Sequence, residues 1–422
     1  MSFVEINLLI GIINNIFEFI IGGVLMTIKF ATSSKKGQDS YETAKECALE
    51  AMQKLEGQKP DFCIVFSSTH YDYAEVVKAF NEVSGNAPLI GASSAGEFTE
   101  MQVVTGGISC AMISSDQYKF FTGLGNNVKE DECAAILAAM KDFPSDVEGF
   151  PNLASIVLVD GLIGKGEDCT LALAGIMEDR IKVAGGAAGD DFKFSHTSVF
   201  NNDTIASNAL SMGFVASKKP VVISVNHGHE PISPPLKITK SVDNLVYELD
   251  GKPAIEVWKD YTREAAKAVG IDVDKMWDEP DQLGRFTMIF EAGIDLGDSY
   301  KVRWSGIRPD TKDALPFVCS MPEGVVLRVM RSSNEQQFAS AREAANVAVQ
   351  KAAGQKIAGA IVFDCAVRSA LLGEEFYKAI DEIKNILKCP IVGLATYGEI
   401  AFEPGQLSGF HNTTTVIMAF LE

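Results

Sequence analysis

The residues best placed to do chemistry stand in three short stretches that end in glycine followed by an acid. Leu89 to Phe98 reads Leu-Ile-Gly-Ala-Ser-Ser-Ala-Gly-Glu-Phe, and Ile391 to Ile400 reads Ile-Val-Gly-Leu-Ala-Thr-Tyr-Gly-Glu-Ile. A looser copy runs Val183-Ala-Gly-Gly-Ala-Ala-Gly-Asp-Asp-Phe192. Each begins with an apolar pair that reads as the end of a buried strand, then passes through small or polar residues to the Gly-acid turn. Glycine serves where backbone turns with φ > 0 or approaches something closely. Ligands of open α/β sheets collect just beyond strand ends. Ser93, Ser94, Gly96 and Glu97 there present hydroxyls, backbone N–H groups and a carboxylate to a small polar molecule. Thr396, Tyr397, Gly398 and Glu399 present the same set, and Gly189 with Asp190 a reduced one. A plainer reading stays open, in which the glycines only shape turns and the acids bond nearby backbone N–H groups.

Other candidates follow from residue type. Arg368 comes a few residues after the apolar run Ala360 to Phe363, where a guanidinium holds a ligand carboxylate in two parallel hydrogen bonds. Its alternative is a buried pair with Glu399 or Glu97. His227 and His229 form an H-x-H pair, but two ligands alone define no metal site, so no metal is expected. His411 and Asn412, near the last strand, are ligand contacts or members of a hydrogen-bonded turn. A catalytic reading would rest on Cys365 with His411, or on the carboxylates Glu97, Asp190 and Glu399. No G-x-S-x-G, P-loop, H-E-x-x-H or G-x-G-x-x-G sequence accompanies them, and the chain reads more readily as a binding protein than as an enzyme.

These residues need a scaffold, and composition describes one. The chain has 422 residues, 47% hydrophobic and 22% charged, too long for one ordinary core. A net charge of −19 without any basic block argues against nucleic acid or an anionic membrane as partner. Eight cysteines lie scattered without a C-x-x-C pair, as reduced thiols of a cytoplasmic protein do. Residues 1–25 are apolar but interrupted by Asn7, Asn14, Asn15 and Glu18. A weak membrane anchor, an added helix and extra sequence from an early start codon all fit them. The last is preferred, because Met26-Thr-Ile-Lys-Phe-Ala already begins an alternating strand.

Periodicity supplies the elements. Strands are expected at 27–31, 62–66, 88–91 and 107–113, with helices at 40–55 and 73–83, a β-α-β-α-β-turn-β unit. A second unit follows, with strands at 118–124, 154–160, 181–184, 197–200 and 209–216 and helices at 131–141 and 167–179. A third opens at Val325–Met330 and continues through a helix at 335–353, a strand at 359–364, a helix at 374–387 and a last strand at 413–421. Between them, residues 218–324 change character. Two strands (236–239, 245–249) and a helix (253–269) are readable, and 272–313 is not. Alternating strands and helices predict an α/β fold of mixed, mostly parallel sheets with flanking helices. The expected organisation is about three β-α-β-α-β-β repeats in two lobes, the first and third pairing their Gly-Glu turns around a cleft.

At these residues the chain resembles the FIST family of sensory proteins, which join a FIST N domain to a FIST C domain. The N-type likeness rests on Gly91-Ala-Ser-Ser-Ala-Gly-Glu97 and Val183-Ala-Gly-Gly-Ala-Ala-Gly-Asp-Asp191. The C-type likeness rests on Val246-Tyr-Glu-Leu-Asp-Gly-Lys-Pro-Ala254, Phe363-Asp-Cys-Ala-Val-Arg368, Thr396-Tyr-Gly-Glu399 and Phe410-His-Asn-Thr413. The resemblance implies a FIST N domain at 26–220, a FIST C domain at 221–422 and a ligand-sensing role. Amino acids are the ligands it suggests, with haem as an alternative cofactor through His411 in a nitric oxide sensor. Family members are often fused to kinase, chemoreceptor or cyclic-dinucleotide output domains. None is expected here, so the signalling partner would be a separate protein.

Overall fold

The computed structural model describes residues 28–177, 180–297, 299–406 and 409–422. The expectations for residues 1–25, for Met26 and Thr27 and for the helix end at 178–179 lie outside them. The first unit comprises β1 (Lys29–Lys35), α1 (Ser40–Lys54), β2 (Phe62–Ser67), α2 (Tyr73–Ser84), β3 (Leu89–Ser93), β4 (Glu97–Thr99), β5 (Val103–Val104) and β6 (Ile108–Ser114). The second comprises β7 (Tyr118–Asn126), α3 (Glu132–Ala139), β8 (Asn152–Val159), α4 (Gly166–Met177), β9 (Lys182–Ala187), β10 (Val199–Asn201), β11 (Thr204–Ala206) and β12 (Ala209–Ser217). Capping residues start the helices: Asp39, Asp72 and Asp131 each accept a backbone N–H from the first turn of α1, α2 and α3.

An inserted segment then interrupts the third unit. After β13 (Val222–His227) come β14 (His229–Pro231), β15 (Leu236–Val242), β16 (Leu245–Leu249), β17 (Lys252–Pro253), α5 (Ala254–Ala268), α6 (Pro280–Ile289), β18 (Phe290–Asp295), β19 (Tyr300–Arg303), β20 (Leu315–Pro316) and β21 (Val326–Ser332). These form an eight-stranded sheet with its own core around Trp258, Phe286 and Phe290. The third unit resumes with α7 (Asn334–Lys351), β22 (Ile357–Cys365), α8 (Ala366–Leu372), α9 (Phe376–Leu387), β23 (Ile391–Thr396), β24 (Glu399–Phe402), β25 (Phe410–His411) and β26 (Thr414–Leu421). The strand expected to open this unit, at 325–330, therefore belongs to the inserted sheet as β21. The opening strand is β13, which pairs with β26 and stands directly before the insertion. Pattern reading joined β21 to α7 because they are adjacent in sequence.

The fold is α/β with mixed sheets, as expected, but among the described residues parallel pairing is confined to β2–β3, β8–β9 and β22–β23. The closing strand of each unit slips between its first two strands, antiparallel to both, as β6 does between β1 and β2. Neighbours in the sheet are then mostly antiparallel although the crossovers run one way.

Three sheets show one strand order. They read β1-β6-β2-β3-β10-β11, β7-β12-β8-β9-β24-β25 and β13-β26-β22-β23-β4-β5. In each, the last two strands come from another unit: β4 crosses to the third, β10 to the first and β24 to the second. The sheets thus join strands from different units of the chain. Their central strands are buried on both faces. Phe62, Ile64 and Phe66 of β2, Ile156 and Leu158 of β8, and Ile361 and Phe363 of β22 meet in one shared core. Their alternates Cys63 and Val65, Val157 and Val159, and Ala360 and Val362 face the helices outside.

Candidate functional site at the junction of three turns

Because the end strands cross between units, the three Gly-acid turns are drawn together. The Ala95 N–H donates to Ala395 O at 3.0 Å, and the Ala395 N–H to Gly96 O at 2.7 Å. The Ala187 N–H donates to Gly398 O at 2.7 Å, and the Tyr397 N–H to Ala187 O at 3.0 Å. The Gly189 N–H donates to Ser93 O at 3.0 Å, and the Asp191 N–H to Ser94 O at 3.1 Å. Each turn thus bonds both others. Gly189 is required by this closeness, since a Cβ there would lie 2.7 Å from the Ala95 backbone nitrogen. Gly96 is required by its φ of +149°.

The acids of the first and third turns face inward. Glu97 is fully buried, accepts the Ser94 hydroxyl on one oxygen and takes the Gly107 N–H at 2.9 Å on the other. Glu399 is fully buried, accepts the Thr396 hydroxyl at 3.1 Å, and takes the Thr414 N–H at 3.0 Å and hydroxyl at 2.9 Å. Burial pushes both carboxyls up to about 8, with these hydrogen bonds opposing it. Both acids thereby tie a turn to the start of its unit's closing strand.

The second turn differs. Burial alone would raise Asp190, but the Tyr397 hydroxyl at 2.6 Å and the N–H groups of Ser195, His196 and Phe194 outweigh it and hold its carboxyl below the usual range. These bonds pin a loop in which Asp191, Phe192 and Phe194 all adopt positive φ, a costly conformation that tends to gather at functional sites. Phe192 and Phe194 are exposed, and Phe194 stacks on Tyr397 with ring centroids 5.0 Å apart. One oxygen of Asp191 accepts the Ser68 hydroxyl at 2.8 Å and the Thr69 N–H at 2.9 Å, while the other is buried without a hydrogen-bond partner. Sequence reading missed Asp191, Phe192 and Phe194. The Phe-Lys-Phe alternation after the turn was the signal for the two rings.

Of the residues picked from sequence, Ser93, Ser94, Gly96, Glu97, Gly189, Asp190, Thr396, Tyr397, Gly398 and Glu399 come together in these turns. Arg368 does not face them. It is fully buried in α8, donating to Asp364 at 2.8 Å, to Ser340 at 2.8 Å and to Gln337, so its partner is Asp364 rather than Glu399 or Glu97. His411 and Asn412 face the inserted segment: Asn412 accepts the Trp304 N–H at 3.3 Å. The Nε2 of His411 is 3.0 Å from Ala401 O, and burial pushes this ring down to about 3. With Nε2 engaged by backbone, Nδ1 is the nitrogen of His411 that an axial haem ligand would have to use. Burial likewise drives the Cys365 thiol up, and neighbouring Glu399 and Glu291 add to it, which does not suit a thiolate nucleophile. Among the described residues no group of three or more His, Cys, Asp and Glu side chains is placed to hold a metal, and no helix is long and apolar enough to cross a membrane.

Comparison with known proteins agrees with the sequence motifs. The chain is 22% identical over 376 residues to the uncharacterized protein MJ1623 of Methanocaldococcus jannaschii, covering 83% of this chain and 71% of that one. Among solved structures, a cyanuric acid hydrolase from A. caulinodans matches 46% of this chain and 73% of its own at 8% identity and a TM-score of 0.26. T. maritima PurL, complexed with ATP, matches 93% and 71% at 10% identity and a TM-score of 0.21. Neither TM-score supports an argument about this fold. Residues 61–252 match the FIST N domain and residues 254–402 the FIST C domain, and the chain belongs to the FIST family, whose domains are associated with sensory signal transduction.

Proposed function

We propose that the protein is a ligand-sensing input that binds an amino acid or another small polar molecule at the junction of the three turns. The observation that carries this is the meeting of three strand-end turns beneath an exposed aromatic loop. The unpartnered Asp191 oxygen is an acceptor for a ligand amine or hydroxyl, and Phe192, Phe194 and Tyr397 offer apolar cover. Loop 191–196 is the movable part, held by the bond between Asp190 and Tyr397, which joins the N- and C-terminal halves. A ligand that reorganises that bond would be felt in both. Output would pass to a separate kinase, chemoreceptor or cyclic-dinucleotide enzyme in the cytoplasm, from a FIST N domain at 26–220 and a FIST C domain at 221–422. A thermal-shift screen against amino acids, small amines and small carboxylates tests the reading. At least one compound raises Tm, and Asp190→Asn and Phe194→Ser each weaken that response. No response to any compound, or a response indifferent to both variants, refutes it.

A further inference from the structure

A second polar cluster lies away from the turns, where the inserted sheet meets the third unit. His229 pairs opposite Ser332, and Glu291 opposite Met330, two positions along the same strand. Residues paired across antiparallel strands, and residues two apart on one strand, share a face, so His229, Ser332 and Glu291 stand together. The side chains of His229 and Glu291 are completely buried. Yet both ring nitrogens of His229, Oε2 of Glu291 and Oγ of Ser332 lack any hydrogen-bond partner. Unpaired buried polar groups are costly and rare. Their Nε2–Oε2 separation of 3.8 Å is too long for a hydrogen bond, but an atom to one side of that line reaches both.

The charge around the cluster is one-sided. Asp364, Glu291 and Glu399 are all fully buried, and the buried guanidiniums nearby are committed elsewhere, Arg368 to Asp364 and Arg303 to Glu167 and the Phe410 carbonyl. The other facing groups are His227, whose ring lies 6.1 Å from that of His229, and the Cys365 thiol. Thr413, which donates its hydroxyl to the other Glu291 oxygen at 2.7 Å, has φ +51°. A β-branched residue seldom adopts that conformation. Backbone strain and missing hydrogen bonds coincide.

We propose that this seam is a binding site for a small cation carrying N–H donors: ammonium or a primary ammonium group. Its protons point to three acceptors, Glu291 Oε2, one His229 nitrogen and Ser332 Oγ. Burial, with Glu399 adding to it, drives the Glu291 carboxyl well above its ordinary value. A neutral amine entering the seam therefore takes the Glu291 proton, giving an ammonium group and a carboxylate with no other exchange. Gln337 Nε2, also unpartnered, is a donor and takes no part in holding the cation.

The test measures Tm in ammonium, methylammonium, tetramethylammonium and sodium chlorides at equal ionic strength. Ammonium and methylammonium raise Tm in a saturable way, while tetramethylammonium, with no N–H, matches sodium. Glu291→Gln abolishes the difference, and Ser332→Ala raises the half-saturating concentration at least tenfold. Should Glu291→Gln not fold, Ser332→Ala decides alone. Equal Tm in all four salts means water alone fills the cluster and overturns the proposal. So does an ammonium effect untouched by whichever of these variants fold. Neither result bears on the turn junction, whose variants are different.

Discussion

Glu97 and Glu399 close onto the start of their unit's closing strand, whereas Asp190 closes onto a loop and onto a different turn. All three follow glycine in the same kind of sequence. In the first and third turns the acid is enclosed, driven up by burial, and holds the backbone N–H of Gly107 or Thr414. In the second it stays ionised, accepts several N–H groups and reaches Tyr397. A shared motif thus does two jobs, and the surroundings of the carboxylate decide which: two acids build the junction, and the third controls what covers it.

The largest effect should come from Arg368, which belongs with the enclosed groups. Arg368→Ala leaves Asp364 buried without its cation and should cost about 3–5 kcal/mol, read by urea denaturation, with unchanged ligand affinity in whatever fraction folds. A change in affinity without loss of stability would move Arg368 to the other side of the comparison. Tyr397→Phe comes next. It removes the hydroxyl that donates to a charged Asp190, about 1.5–3 kcal/mol, and that accepts the Phe192 N–H at 2.8 Å, and should also increase hydrogen exchange in loop 191–196. Exchange unchanged there would mean that the loop is held by its own N–H groups alone.

The pH dependence separates the two kinds of acid by sign. Glu97 and Glu399 have folded values of about 8 against an ordinary 4.5, so between those limits the folded state binds more protons than the unfolded. Their contribution is full below 4.5 and is lost as pH rises through 8. Asp190 is shifted below its ordinary 3.8, so its contribution is present above that value and lost only as pH falls below it. The denaturation midpoint should decline from pH 5 to pH 9, and Glu97→Gln and Glu399→Gln should each flatten that decline while Asp190→Asn does not. The smallest effect is Phe194→Ser, within about 0.5 kcal/mol of wild type because the ring is exposed. Its loss should appear in the ligand response instead.

The helices and central strands were legible because their apolar spacing is local: Ser40 to Leu55 reads as amphipathic without knowledge of what covers it. The turns were legible for the same reason, with glycine, acid and a preceding apolar pair in ten residues. What could not be read was partnership. Nothing in Glu97-Phe-Thr99 says that it pairs with Val392 to Leu394, and residue type alone does not select Asp364 over Glu399 for Arg368, although Asp364 stands only four residues before it. The place of β13 was hidden by an insertion that puts about a hundred residues between it and α7. Phe192 and Phe194 were not singled out, because sequence carries no sign of exposure in a pinned loop.

The crossing of β4 has a consequence for how the molecule is made. Thr99 pairs with Val392, almost three hundred residues later, so β4 and β5 have no sheet to join until β23 has emerged. Contacts so distant in sequence slow folding. A nascent chain halted before β23 would carry bare strand edges of the sort that recruit other chains. Assembly here should behave as one late, concerted event, and C-terminal truncation should yield aggregates rather than a smaller folded protein.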